Sequence, residues 1–94
     1  MDRNGRVVGA GDAARQTEQI FDHVAKVLAH VGADFSRVTS VLIHLTNMDD
    51  RPRINPVRMK YFGEHRPAST LVQVGSLIHP DLLVEVTCTA HLGK

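Results

Sequence analysis

The sequence predicts an α+β domain in which two helices lie on one face of a small mixed sheet. Three observations carry this. Residues 13–31 repeat apolar side chains at helical spacing, and residues 38–46, VTSVLIHLT, alternate in the manner of a strand. Residues 67–90, PASTLVQVGSLIHPDLLVEVTCTA, hold two β-rich runs on either side of a break at Pro80 and Asp81. The implied order is helix, strand, helix, strand, strand.

The first 11 residues are polar and glycine-rich around Val7-Val8, which reads as a turn with a short edge strand. Asp12 is placed to cap a helix, because its side chain can accept from the free N–H groups of the first turn. Ile20, Val24, Val27, Leu28 and Val31, widened by Phe21, form the apolar stripe of that helix. Arg15, Glu18, Asp22, Lys26 and His30 take the other positions, and Gly32 supplies the stop. Asp34-Phe35-Ser36 is a turn. In the strand that follows, Val41, Ile43 and Leu45 share the dry parity, while Ser40, Leu42, His44 and Thr46 share a mixed one. Asn47-Met48-Asp49-Asp50 ends it.

The second helix falls between Arg51 and Phe62 and is closed by Gly63. Its start is open between two solutions. It begins at Pro56 with Asn55 as cap, or it runs kinked from Pro52, since Pro56 has no N–H for a helix interior. Ile54, Val57, Tyr61 and Phe62 form its apolar stripe in both. After the connector Glu64-His65-Arg66-Pro67, strands at residues 70–77 and 82–90 are expected to pair antiparallel as a hairpin. The crossover from residues 38–46 to 70–77 is expected to be parallel and right-handed.

Val84, Val86, Cys88 and Ala90 share the dry parity of the last strand, and Glu85, Thr87, Thr89 and His91 the opposite one. A carboxylate among β-branched residues requires a wet strand face or a partner. Ser40, His44, Ser69 and Gln73 are candidate neighbours of Glu85 on a semi-polar face. Two helices are too few to cover it, so a second subunit is expected there, with pockets at the seam. A plainly solvated sheet face is the alternative.

At 94 residues the chain is one domain, and a chain this short buries only about 60–65% of its unfolded surface, which favours oligomers. A net charge of +1 gives no strong pull toward nucleic acid or membrane. No apolar run is long enough to span a bilayer, no signal-peptide core is present, and a single cysteine fits a reducing compartment, so the expected location is cytoplasmic. His23 and His30 stand about two helical turns apart and no HExxH motif occurs, so no metal is expected. Cys88 reads as a small core residue. The basic run Arg51, Arg53, Arg58, Lys60 and Arg66 reads as a solvated helix face rather than an RNA surface, since aromatic residues for base stacking are scarce.

The stretch GDAARQTEQIFDHVAKVLAHVGADFSRVTSVLIHLTNMDD resembles the first helix and following strand of the reactive-intermediate deaminase family, also called RidA, YjgF or L-PSP endoribonuclease-like. Ile54-Asn55 with Tyr61-Phe62-Gly63-Glu64 resembles its second helix, and Arg66-Pro67-Ala68 and Leu83-Val84-Glu85-Val86 its last strands. HPDLLVEV is also similar to the aminomuconate-deaminase branch. The resemblance implies a chorismate-mutase-like subunit, a homotrimer with three pockets at the subunit seams, and no metal or organic cofactor. It implies hydrolysis of a reactive enamine or imine, a small-molecule substrate, to a keto compound and ammonia. Residues 1–94 are expected to form a single domain that lacks the family's N-terminal strand pair.

By this resemblance Glu85 is the catalytic acid that positions or activates water, and a structural carboxylate is its alternative role. Asn55 matches a pocket asparagine, or is a helix cap. The arginine that forks onto the substrate carboxylate in deaminating members falls at Ser69, and a cysteine found in several members falls at Leu71. A hydroxyl cannot neutralise a carboxylate, so activity is left open. Arg66, three residues upstream of Ser69, is expected to be a solvated connector residue, with a substitute for the missing arginine as the alternative. The leading reading is a deaminase acting through Glu85, with Ser69, Asn55 and Leu71 at the substrate. The alternative is a metabolite-binding module without turnover, and a weaker one is an endoribonuclease or translation inhibitor.

Overall fold

The structure, a computed structural model, describes residues 9–92. The edge strand expected at Val7-Val8 lies outside the described residues. Helix α1 spans Ala13–His30, β1 Val38–Leu45, α2 Arg51–Phe62, β2 Ala68–Gln73 and β3 Val84–Ala90. Val41, Ile43, Leu45 and Val84 of the sheet join Phe21, Leu28, Ile54 and Phe62 of the helices in one buried cluster. Both helices therefore cover the same sheet face, as the alternation of β1 predicts.

Helix α1 starts where Asp12 accepts from the Arg15 N–H at 3.1 Å. It ends in a Schellman arrangement: the Gly32 N–H donates to Ala29 O and the Ala33 N–H to Leu28 O, with Gly32 at φ +74°. Its buried line differs from the expected stripe. Ala13, Gln16, Thr17, Phe21 and Leu28 are buried, whereas Val27 and Val31 are each 53% exposed. Small and polar residues had concealed this face. Thr17 is fully buried because its hydroxyl donates to Ala13 O at 2.7 Å and so carries no unmet polar group inside.

Asp34 accepts from both the N–H and the hydroxyl of Ser36, which closes the turn before β1. The Ser36 side-chain bond, with the backbone bond after it, holds the Asp34 carboxyl below its usual range. The chain's four aromatic residues, Phe21, Phe35, Tyr61 and Phe62, gather into one cluster with centroid separations of 5.0 to 5.9 Å. This cluster rivets α1 and the following turn to the end of α2.

Helix α2 takes the earlier of the two starts, with Pro52 in its first turn and Pro56 inside. Pro56 cannot donate to the Pro52 carbonyl. The first turn is steadied instead by a 2.9 Å ion pair between Arg53 and the buried Asp50. Ile54 and Phe62 anchor the inner face of the helix.

The sheet order is β2-β1-β3, with β1 parallel to β2 and antiparallel to β3. The expected hairpin of the last two strands is thus overturned, because β1 lies between them. Strand β2 stops at Gln73, and residues 74–83 are too long for a tight turn. They pass across the end of β1, where Val74 N–H donates to Leu45 O and Thr46 N–H to Leu83 O. The link is held from below by Gln16, which donates to Asp81 O at 2.8 Å and accepts from Leu83 N–H at 2.7 Å.

The register corrects a second expectation. Ser69 pairs with Val41 and Gln73 with Leu45, which puts both on the helix-covered face and not beside Glu85. Glu85 pairs with His44, Thr87 with Leu42 and Thr89 with Ser40 on the opposite face. Thr39 is a bulge residue, which lets Val38 turn inward opposite Ala90.

Candidate functional site

The site follows from two parallel rows of side chains. Arg51, Asn55 and Arg58 stand four and three residues apart, so they form one line along α2. Ser69, Leu71 and Gln73 alternate along β2 and project to the same side of the sheet. Helix α2 packs chiefly on α1. The space it leaves over β2 is a hollow of about 500 Å³ lined by Met48, Arg51, Asn55, Arg58, Ser69 and Leu71. Gln73 fixes the entry of α2 to the far end of β2 by accepting from the Met48 N–H at 2.8 Å.

All three residues assigned to substrate, Asn55, Ser69 and Leu71, therefore line one hollow. Arg58, assigned to a solvated face, lines it too. Its Nη1 donates to Ser69 Oγ at 2.9 Å. Arg58 and Ser69 also border a neighbouring hollow of about 200 Å³, shared with Val41, Met59, Phe62, His65, Arg66 and Pro67. Arg66 turns back on its own connector and donates to Gly63 O. His65 meets Val38 O at 2.7 Å and pins the connector to the start of β1. No acidic side chain lines either hollow, so both are electropositive.

Glu85 sits elsewhere in the subunit. It lies on the face away from the helices, half exposed, with Oε1 3.4 Å from His44 Nδ1 across the β1–β3 pair. Within one chain the hollow and Glu85 occupy opposite faces of the sheet. Cys88 is half-buried on the helix side of β3, where burial pushes its thiol pKa up and leaves it a poor nucleophile. Among the described residues no group of three or more His, Cys, Asp and Glu side chains could hold a metal ion, and no helix is long and apolar enough to cross a membrane.

Arg58 could have been found from the sequence only by combining the helical row with the β1–β2 register. Its i+3 relation to Asn55 was visible, but the offset that sets Ser69 opposite Val41 was not.

A three-stranded mixed sheet under two helices, with a hollow free of acidic side chains at its edge strand, defines an α+β subunit. The chain belongs to the endoribonuclease L-PSP family, whose profile matches residues 1–92. It is 41% identical over 92 residues to the 3-aminoacrylate deaminase RutC of Acinetobacter baylyi, an alignment covering 98% of this chain and 72% of that protein. A crystal structure of a Mycobacterium tuberculosis member of the YjgF/YER057c/UK114 family superposes with a TM-score of 0.82 at 32% identity, covering 89% of this chain and 72% of the other. The Rid-family protein YyfA of Yersinia pestis superposes with a TM-score of 0.85 at 27% identity, covering 95% and 70%.

Proposed function

We infer that the protein hydrolyses a small, reactive enamine or imine that carries a carboxylate, in pockets shared between copies of the chain. The observation that carries this reading is the meeting of Asn55, Ser69 and Leu71 in one hollow of about 500 Å³, within the size range of small-molecule sites. The similarity to a 3-aminoacrylate deaminase supports the substrate class. For such a substrate the enamine carbon takes a proton, water adds to the resulting C=N carbon, and ammonia leaves. One water is consumed, and an aldehyde or keto acid remains.

The general acid–base is Glu85 of a neighbouring copy. A carboxylate can accept a proton from the attacking water and return it to the departing nitrogen. Its own subunit's hollow lies across the sheet, so the reaction needs the Glu85 face of one subunit against the β2–α2 edge of the next. Strand β2 is a free sheet edge among the described residues, and such edges are ordinarily covered. A closed trimer satisfies this for every copy with a single repeated contact.

The test is ammonia release from 3-aminoacrylate generated in situ, followed with and without the protein. Acceleration over buffer is expected, and Glu85→Gln should reduce it by about 100-fold or more, the usual worth of a positioned acid–base group. No acceleration by the wild type would remove the catalytic reading. Binding without turnover would instead support a metabolite-binding module, which is favoured by the absence of an acidic side chain from the hollow of a single subunit.

A further inference from the structure

We propose that Arg58, carried by helix α2 and seated on Ser69, is the group that binds the substrate carboxylate. The inference rests on the deaminase reading for the identity of the substrate, but not for the existence of the anion site. Ser69 occupies the strand position where the family resemblance leads one to expect a guanidinium, and the structure brings one there from the helix instead.

Four features of Arg58 fit this role. It is half-buried, so its charge is partly stripped of water. Ser69 Oγ is the one hydrogen-bond acceptor its guanidinium meets among the described residues, and no carboxylate there lies within ion-pair distance. A guanidinium has five N–H donors in a planar fork, so the remaining ones stay free for a ligand. Finally, it borders both hollows, as does the Ser69 to which it donates.

The surroundings favour a small carboxylate over other anions. Ser69 accepts from Arg58, which leaves the hydroxyl proton free to donate. Guanidinium and hydroxyl together present a short row of donors matched to two carboxylate oxygens. Leu71 and Met48 provide an apolar surface for a short carbon chain, and Asn55 provides one further polar group. The neighbouring cations are less well placed. Arg53 is committed to Asp50, Arg66 to Gly63 O, and Lys60 lies 5.4 Å from the centre of the Tyr61 ring. Arg51 is exposed and stands at the opposite end of the row.

Ser69 thereby becomes a positioning residue. Its hydroxyl fixes the guanidinium that does the binding.

The experiment measures binding of crotonate and crotonamide by calorimetry to the wild type, Arg58→Lys, Arg58→Ala and the double variant Arg58→Ala with Ser69→Arg. Crotonate has a methyl group where 3-aminoacrylate has its amine, so it binds without reacting. The amide has nearly the same shape but no charge, and an N–H donor group in place of one acceptor oxygen. The wild type should prefer crotonate by about 10- to 100-fold, the usual range for a charged hydrogen-bonded contact. Arg58→Ala should erase the preference and Arg58→Lys should retain part of it, since lysine keeps the charge but not the fork. The double variant returns a guanidinium to the strand and should recover the preference, which no purely structural role for Arg58 explains. Thermal unfolding of each variant checks the fold, and the lysine and double variants keep the comparison decisive if the alanine variant is unstable.

Equal binding of the acid and amide by the wild type would overturn the proposal, as would an undiminished preference in Arg58→Ala. Carboxylate preference through Arg58 without ammonia release would sink the deaminase reading and leave the clamp standing. Ammonia release unaffected in KM by Arg58→Ala would sink the clamp alone.

Discussion

At the scale of single residues, a glutamine buried in the first helix does structural work. Gln16 is 3% exposed and joins three segments: it donates to Gly9 O and Asp81 O and accepts from the Leu83 N–H. Gln16→Ala leaves Asp81 O and Leu83 N–H without their partner under the β2–β3 link. A loss of about 2–3 kcal/mol is expected, which for a domain this small is on the order of 10 °C in Tm. Urea unfolding measures it. Gln16→Glu should not recover the loss, because a carboxylate still accepts from Leu83 but would be a buried charge facing the Asp81 and Gly9 carbonyls. Asp12 as a cap, Gly32 as a stop and the parity of β1 could be read from the chain, since each depends on neighbours within a few residues. The roles of Gln16 and Arg58 could not. Their partners lie 65 and 11 residues away and become neighbours only through the fold.

At the scale of elements, local signals located the helices and β1, and failed where pairing was chosen at a distance. Two β-rich runs about Pro80 look like a hairpin, yet β1 intervenes and takes both as partners. The central strand collects Val41, Ile43 and Leu45 into the core, and burial of these on an inner strand outweighs the closeness of β2 and β3 in sequence. The same contact network makes a prediction for the helix pair. The Tyr61 hydroxyl donates to Asp22, linking α2 to α1. Burial first, and then this bond to Asp22, push the Tyr61 pKa up to about 12. The folded protein therefore keeps a proton that the unfolded chain, with a pKa near 10, gives up. The corresponding stability is whole below pH 10 and is lost as the pH rises toward about 12. Urea midpoints at pH 9 and pH 11 should fall further apart in the wild type than in Tyr61→Phe. Equal slopes in the two proteins would contradict this.

At the scale of the whole molecule, the sheet has one face closed by helices and one face left open among the described residues. The open face carries Leu42, His44, Thr70, Val72, Glu85 and Thr87, of which Thr70, Val72, Glu85 and Thr87 are exposed. It is the mixed face expected from the alternation of β1 and β3, although Ser69 and Gln73 belong to the other side. That exchange sharpens the functional picture. If Ser69 shared a face with Glu85, one subunit could hold the whole site. Because it does not, the proposed reaction joins the Arg58 hollow of one copy to the Glu85 of another.

Activity after mixing two impaired variants, assayed with substrate well below KM, tests this division most directly. Arg58→Ala chains and Glu85→Gln chains, tagged differently and co-expressed, form mixed assemblies in which some seams combine an intact Arg58 with an intact Glu85. With random mixing in a closed trimer, about a quarter of the seams should be intact, and ammonia release should return to about that fraction of wild type. If the mixed assemblies stay as inactive as either parent, the two groups do not serve one pocket across the subunit seam.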